Sequence, residues 1–452
     1  MSIQHKFIDR KEELNFLDEK YRSDKAELIV LYGRRRIGKT TLLKKFMEGK
    51  NATYFLGGVE SSENTLKRLS KLTGSEINRI EKFLDWIEKK YLAEKGCLII
   101  DEFPFLVENF PSFPSLLQEA WDERLAKTKA VLILCGSSIS MMEKHALDYK
   151  SPLYGRRTGQ WKVTKIQTSF LNKFFPGYSP EELVLTYATL DMIPGYLTKF
   201  DPKKRPWENI REQMLSKGGY FYEEVPILLR EELRDPANYL SILSAIAAGA
   251  NSFERIKAET GLDKSMISKY LHILEGIGMV VRKTPALLTY KGKLKSRNRR
   301  YGLGDNFVHF WLRYVYSNEQ DLEIGRLKEV TVRIKEDIKY YLGEKFEELV
   351  KESLPWLGFN EYSEVGSWWH KSTEVDLVAV SRQKKKILLG ECKWKDNVNA
   401  ERVLKELKEK SESMPLPSDW KKEHVVFSRS FKKKTEEAKC LSLEEIRRKM
   451  WK

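Results

Sequence analysis

The chain has 452 residues, of which 41% are hydrophobic and 32% charged. That balance excludes an intrinsically disordered chain and gives room for roughly two to four domains, each with its own core. The formal net charge of +16 favours polyanionic partners, nucleic acid first.

No uninterrupted apolar stretch is long enough to cross a bilayer, so no membrane partner is expected. The start, MSIQHKFIDRKEEL, lacks the apolar region of a signal peptide. Cys97, Cys135, Cys392 and Cys440 are far apart and show no zinc spacing. Free thiols in a reducing cytoplasm are the expectation.

The first predicted element is a helix opening at FIDRKEEL (7–14), with Asp9 as N-cap and Glu12 at the N3 position. Next comes an apolar strand at 28–31, then GRRRIGKT (33–40), which matches G-x-x-x-x-G-K-[ST], then a helical pattern through Leu42, Leu43 and Phe46. Strand, glycine loop and helix in that order make a phosphate loop, in which backbone N–H groups and the helix start face a phosphate. The expected nucleotide contacts are Gly33, Arg34, Arg35, Arg36, Ile37, Gly38, Lys39, Thr40 and Thr41. Lys39 reaches the β/γ-phosphates of ATP, and Thr40 holds Mg²⁺.

Residues 53–56 form a short strand, and 61 to about 91 read as helical. CLIIDE (97–102) is a buried parallel strand that delivers two carboxylates at its C-terminal edge. Asp101 is assigned to Mg²⁺ through water, and Glu102 to polarising the attacking water. The strand at 130–135 ends in GSS, where Ser137 or Ser138 is placed to sense the γ-phosphate. PLYGRRT (152–158) offers paired arginines, of which Arg156 is assigned as an arginine finger, in cis or from a neighbouring subunit, which allows an ATP-dependent homo-oligomer. Solvation of the loop or pairing with local acids stays open as the alternative.

These motifs together carry a resemblance. GRRRIGKTTLL, LIIDEFPFL, ILCGSS and PLYGRR resemble the archaeal ATPase family, a STAND-type branch of the AAA+ P-loop proteins, over residues 1 to about 235. The entry segment is similar to the F-x-x-R-x-x-E-L of AAA+ and STAND ATPases. This resemblance implies that Arg10 lies beside the adenine. DMIPGYL (191–197) partly matches the family's lid element, with Asp191 where glycine is more usual.

Helical patterns follow at 236–248, at 253–258 behind a Ser252 cap, and at 264–274 behind an Asp263 cap. In the last of these, Ile267, Tyr270, Leu271 and Leu274 face inward, and Ser265, Ser268, Lys269 and His272 outward. The pattern is a helix-turn-helix, with residues 279–301 as its wing. Between Arg282 and Arg300 stand eight basic residues and no acid: Arg282, Lys283, Lys291, Lys293, Lys295, Arg297, Arg299 and Arg300. A local excess of one sign suits DNA phosphates, with the third helix in the major groove.

From residue 343 an amphipathic helix carries Glu347. A strand at 374–380 carries Asp376, and its hairpin partner at 386–394 carries Glu391 and Lys393 on one face, with Cys392 on the other. Asp376 and Glu391 are hard oxygen ligands for Mg²⁺, Glu347 is a third carboxylate, and Lys393 orients or deprotonates water. This arrangement resembles the PD-(D/E)xK nuclease superfamily, although Val375 replaces the proline. The charged helices at 401–411 and 444–452 read as surface.

The expected fold is multidomain α/β and α. It comprises a P-loop AAA+-like ATPase core (1–170), a helical lid (171–235), a winged helix-turn-helix (236–316) and a restriction-endonuclease-like α/β domain (317–452). An ATP-controlled signalling or transcriptional switch, with a C-terminal domain that only binds DNA, stays open as the alternative.

Overall fold

Five apolar runs pair side by side to make the first sheet. They are β1 (Glu27–Tyr32), β2 (Ala52–Leu56), β3 (Gly96–Asp101), β4 (Ala130–Gly136) and β5 (Gly159–Lys162), ordered β2-β3-β4-β1-β5 and all parallel. In this computed structural model, residues 7–92, 94–233, 235–287 and 298–451 are described. Every residue of β3 and β4 is buried, as parallel strands covered on both faces must be. Helix α1 (Lys11–Arg22) precedes β1, and the strands are followed by α2 (Lys39–Met47), α3 (Ser62–Thr73), α4 (Ile80–Tyr91), α5 (Phe103–Asn109) and α6 (Phe113–Glu123). The helical stretch expected from 61 to about 91 is two helices, because Gly74 ends α3 in the left-handed region at φ 65°.

The expected capping box at Asp9 and Glu12 does not form. Arg10 occupies the N-cap position at φ 78°, Asp9 has φ 67°, and no side chain caps α1. The Arg10 side chain explains the turn: it points inward, donating to Glu13 and to the Ile37 carbonyl, both at 2.8 Å.

The chain divides into two units. One runs to Ile166 and includes Ile193–Gly195, and the other holds Gln167–Met192 and the residues from Tyr196 onward. The segment expected as a lid therefore lies mostly in the second unit. Its helix α7 (Pro180–Leu190) begins with a Ser179/Glu182 capping box, and its Ala188 carbonyl accepts from the Tyr341 hydroxyl at 2.7 Å. Asp191 follows at φ 57° and ψ −164°. That backbone suits glycine and explains why an Asp there stands out.

Further along the second unit come α8 (Pro236–Ala247), α9 (Phe253–Thr260) and α10 (Lys264–Gly276). The Ser252 and Asp263 caps form as expected. On α10, Ile267, Leu271 and Leu274 are buried and Tyr270 half-buried, while Ser265, Ser268, Lys269 and His272 are exposed. An antiparallel pair follows, β6 (Val280–Lys283) with β7 (Arg300–Leu303).

The long helix α11 (Leu327–Ser353) leads into β8 (Glu364–His370), β9 (Thr373–Ser381) and β10 (Lys386–Lys393). After them come β11 (Val398–Asn399), α12 (Ala400–Glu412), β12 (Lys421–Ser428), β13 (Phe431–Lys433), β14 (Lys439–Ser442) and α13 (Leu443–Met450). The main sheet runs β14-β12-β10-β9-β8. β8, β9 and β10 are antiparallel neighbours, whereas β10, β12 and β14 are parallel. A parallel step needs a crossover, and α12 supplies it between β10 and β12. Ala286 and Leu287, just past β6, pack against the core of this sheet, which includes Trp368, Val375 and Leu389. No helix among the described residues is long and apolar enough to cross a membrane.

Candidate functional site

β1 ends at Tyr32 and the chain turns at once through Gly33. A Cβ there would lie 2.3 Å from the Val163 carbonyl oxygen, so only glycine lets the loop leave the sheet this closely. Gly38 forms the N-cap of α2 at φ 94°, a conformation that aims the first amides of α2 out of the helix end. Between the two glycines, Arg34, Arg35 and Arg36 are half-buried and Ile37 is buried. The Arg36 carbonyl accepts from the Gly195 amide at 2.9 Å, so Ile193–Gly195 braces the loop. Lys39 is 6% exposed and donates to the Gly33 and Arg34 carbonyls at 2.6 and 3.0 Å. Thr40 and Thr41 are exposed at the helix start.

β3 runs alongside and delivers Asp101, which is 1% exposed. The Thr40 hydroxyl donates to Asp101 Oδ2 at 2.8 Å. Glu102 turns off the strand at φ 52° as the N-cap residue of α5. Its carboxylate accepts from Ser137 Oγ at 2.8 and 2.9 Å and from the Ser137 amide at 3.3 Å. Of the two serines read as candidates, Ser137 meets Glu102 and Ser138 lies against Ser140. The loop lysine, the helix-start threonine, two acids and Ser137 thus come together at the C-terminal edge of a parallel sheet, where open α/β folds bind ligands. Arg10 joins from α1 through the Ile37 carbonyl. Arg156 does not join them by hydrogen bond: its guanidinium pairs with Asp122 of α6, Nη2 to Oδ2 at 2.8 Å.

The second cluster lies on β9, β10 and α12. Leu377 is opposite Gly390 in the antiparallel register, which brings Asp376 and Glu391 to neighbouring positions. Lys393 pairs with Asp376 at 3.5 Å and also meets Glu391. The Cys392 amide donates to Asp376 Oδ2 at 3.0 Å. Glu391 is 1% exposed, and its other oxygen accepts from Lys410 at 2.7 Å. Burial first, then the Asp376 charge, pushes the Glu391 carboxyl up. The same causes, in the same order, push Glu347 up to about 8. Lys393 is held above the usual lysine range by the acids around it, against the opposing effect of burial.

These contacts correct one expectation. Lys410 belongs to the charged helix read as surface, yet it reaches the least exposed acid of the cluster. Among the described residues no group of three His, Cys, Asp or Glu side chains is spaced to hold a metal ion. Ammonium groups stand at both oxygens of Glu391.

Residues 7–200 match a family described as an ATPase domain predominantly from Archaea. Along nearly its whole length the chain is similar to the "Uncharacterized protein MJECL04" of Methanocaldococcus jannaschii, at 36% identity over 443 residues, covering 96% of this chain and 98% of that one. The chain belongs to the archaeal ATPase family.

Within this ATPase, residues 311–405 match a second family, described as archaea bacterial proteins of unknown function. A 44-residue stretch is 64% identical to the "Uncharacterized ATP-binding protein MJ0423" of the same organism, covering 10% of this chain and 75% of that one. Among solved structures, the ATPase is similar to the Walker-type ATPase PABY2304 of Pyrococcus abyssi, at 23% identity and TM-score 0.49, covering 68% of this chain and 95% of that one. It is also similar to the Aeropyrum pernix ORC2 protein, at 14% identity and TM-score 0.41, covering 70% of this chain and 94% of that one.

The basic run of the ATPase is not an open surface throughout. Arg282 pairs with Glu275 at 2.7 Å, Lys283 with Glu348 at 2.9 Å, and Arg300 with Glu374 at 2.8 Å. Lys291, Lys293, Lys295 and Arg297 lie outside the described residues. Sequence reasoning missed Tyr54 and Lys410, which both touch site carboxylates. A signal for Tyr54 was available, since it alternates with Leu56 along a strand beside the acid-bearing one. Lys410 offered none in its own helix.

Proposed function

We propose that the ATPase binds ATP with Mg²⁺ at the glycine loop and hydrolyses it, and that it engages DNA through α10. The observation that carries the hydrolytic reading is the contact of Ser137 with Glu102 beside the Thr40–Asp101 pair. Glu102 is oriented to polarise a water and accept its proton. Lys39 leaves the loop carbonyls for the β/γ-phosphates, and the loop amides hold the phosphate oxygens. Thr40 and Asp101 present a hydroxyl and a carboxylate, the oxygen donors Mg²⁺ prefers. When bound, Mg²⁺ neutralises charge on the phosphates. Ser137, on Glu102, is placed to sense the γ-phosphate. Arg156 serves as a finger only after leaving Asp122. Released phosphate tests the reading: the wild type should turn over ATP with Mg²⁺, and activity that survives Lys39→Ala ends it.

For the C-terminal half, the order helix, three strands, helix, strand and the meeting of Asp376, Glu391 and Lys393 support a nuclease-like fold of the PD-(D/E)xK kind. Asp376 and Glu391 suit a divalent cation by donor type, and Lys393 would hold or move a proton of the attacking water. Cleavage of plasmid or flapped DNA with Mg²⁺ or Mn²⁺, unchanged by Asp376→Ala, would refute that role. A second reading has one observation in its favour, the ammonium pair on Glu391. In that reading the domain grips DNA without cutting, and ATP acts as a signalling or transcriptional switch.

A further inference from the structure

β2 contributes a side chain to the nucleotide site that no motif marks. Leu56 is the register partner of Asp101, and Tyr54 stands two residues earlier on β2. Residues two apart on a strand share a face. The Tyr54 side chain therefore runs along that face toward the C-terminal edge, and its hydroxyl donates to Asp101 Oδ2 at 2.7 Å. Thr40 meets the same oxygen at 2.8 Å, and the Glu102 amide donates to Oδ1 at 3.0 Å. Three donors from three elements thus fix the plane of one carboxylate.

We propose that Tyr54 is a positioning residue for the divalent cation of the nucleotide site, holding Asp101 in the rotamer that faces Thr40. The inference rests on the Mg²⁺–ATP reading above. Its specificity follows from the contacts: Tyr54 touches the acid, whereas the nucleotide phosphates are assigned to amides of residues 33–38 and to Lys39. Losing the phenol hydroxyl should weaken the metal and spare the nucleotide. A hydrogen bond to a charged group sets the scale at about tenfold.

The experiment titrates Mn²⁺ into the full chain with ADP and reads bound Mn²⁺ by electron paramagnetic resonance. Calorimetry in EDTA measures ADP affinity without metal. Tyr54→Phe should need about tenfold more Mn²⁺ and keep its ADP affinity in EDTA. Tyr54→Leu should lose the same metal affinity, because the hydroxyl and not the ring carries the effect. If Tyr54→Phe binds Mn²⁺ like the wild type, or if ADP affinity in EDTA falls as far as metal affinity, the role of Tyr54 is overturned. If the wild type itself shows no bound Mn²⁺ with ADP while Lys39→Ala leaves ADP binding intact, the nucleotide-site reading falls, and the inference with it.

Discussion

The two acid clusters of this ATPase are built on the same plan and finished differently. Each sets carboxylates on strands of a largely buried sheet. In the first, hydroxyls of Thr40, Tyr54 and Ser137 meet Asp101 and Glu102. In the second, ammonium groups of Lys393 and Lys410 meet Glu391. A hydroxyl orients a carboxylate without cancelling its charge, whereas an ammonium cancels it and competes with any other cation. In the function proposed above, the first cluster would take a metal–phosphate complex as it stands, whereas the second would first have to move a lysine.

The largest test of this contrast is Glu102→Gln. The amide keeps the shape and the Ser137 contact but cannot accept a proton, so turnover should fall by about a hundredfold or more while ATP binding persists. Phosphate-release rates beside equilibrium ATP binding check this, and equal turnover would break the comparison on its first side. On the other side, Lys410→Met removes one competing cation. Partial solvent exposure of the lysine keeps the stability loss near 1 kcal/mol, a drop of a few degrees in melting temperature. Added Mn²⁺ should raise the melting temperature of this variant more than that of the wild type. An identical metal response in both proteins would mean that Lys410 does not compete.

The smallest effect lies outside both clusters. His309 is 5% exposed, packs its ring against Tyr341, and is held well below the usual histidine range by burial, with Lys345 adding to the effect. Its folded pKa is depressed, so the neutral form is favoured. Its contribution is present above the unfolded pKa of about 6.5 and is lost as pH falls below it. Stability should decline by at most about 1.4 kcal/mol per pH unit from this group. Chemical denaturation at several pH values should show a shallower acid decline for His309→Gln.

The glycine loop and the acid-ended strand were legible because each packs its chemistry into a few consecutive residues. The strands β1, β3, β4, β9 and β10 were legible for the same reason: apolar runs bounded by turns and acids. Partners that arrive from other elements were not. Asp9 reads as a cap until Arg10 is known to reach the Ile37 carbonyl. Arg156 reads as a finger until Asp122 of α6 stands beside it. Lys410 sits among alternating charges that describe a solvated helix face, and only the crossover of α12 over the sheet turns it onto Glu391. The cations between Arg282 and Arg300 read as one electrostatic patch, yet three of them hold Glu275, Glu348 and Glu374.

The limb beyond β6 has a consequence for dissecting the molecule. Ala286 lends its amide to the Ser367 carbonyl at 2.8 Å, and with Leu287 it covers the greasy side of the C-terminal sheet. A fragment begun at residue 317 would lose these two apolar contacts and the amide hydrogen bond from that side. The seam visible in the amino-acid text is thus not a place where scissors can go, and β6 with the residues just past it belongs in the same expressed piece as the C-terminal sheet.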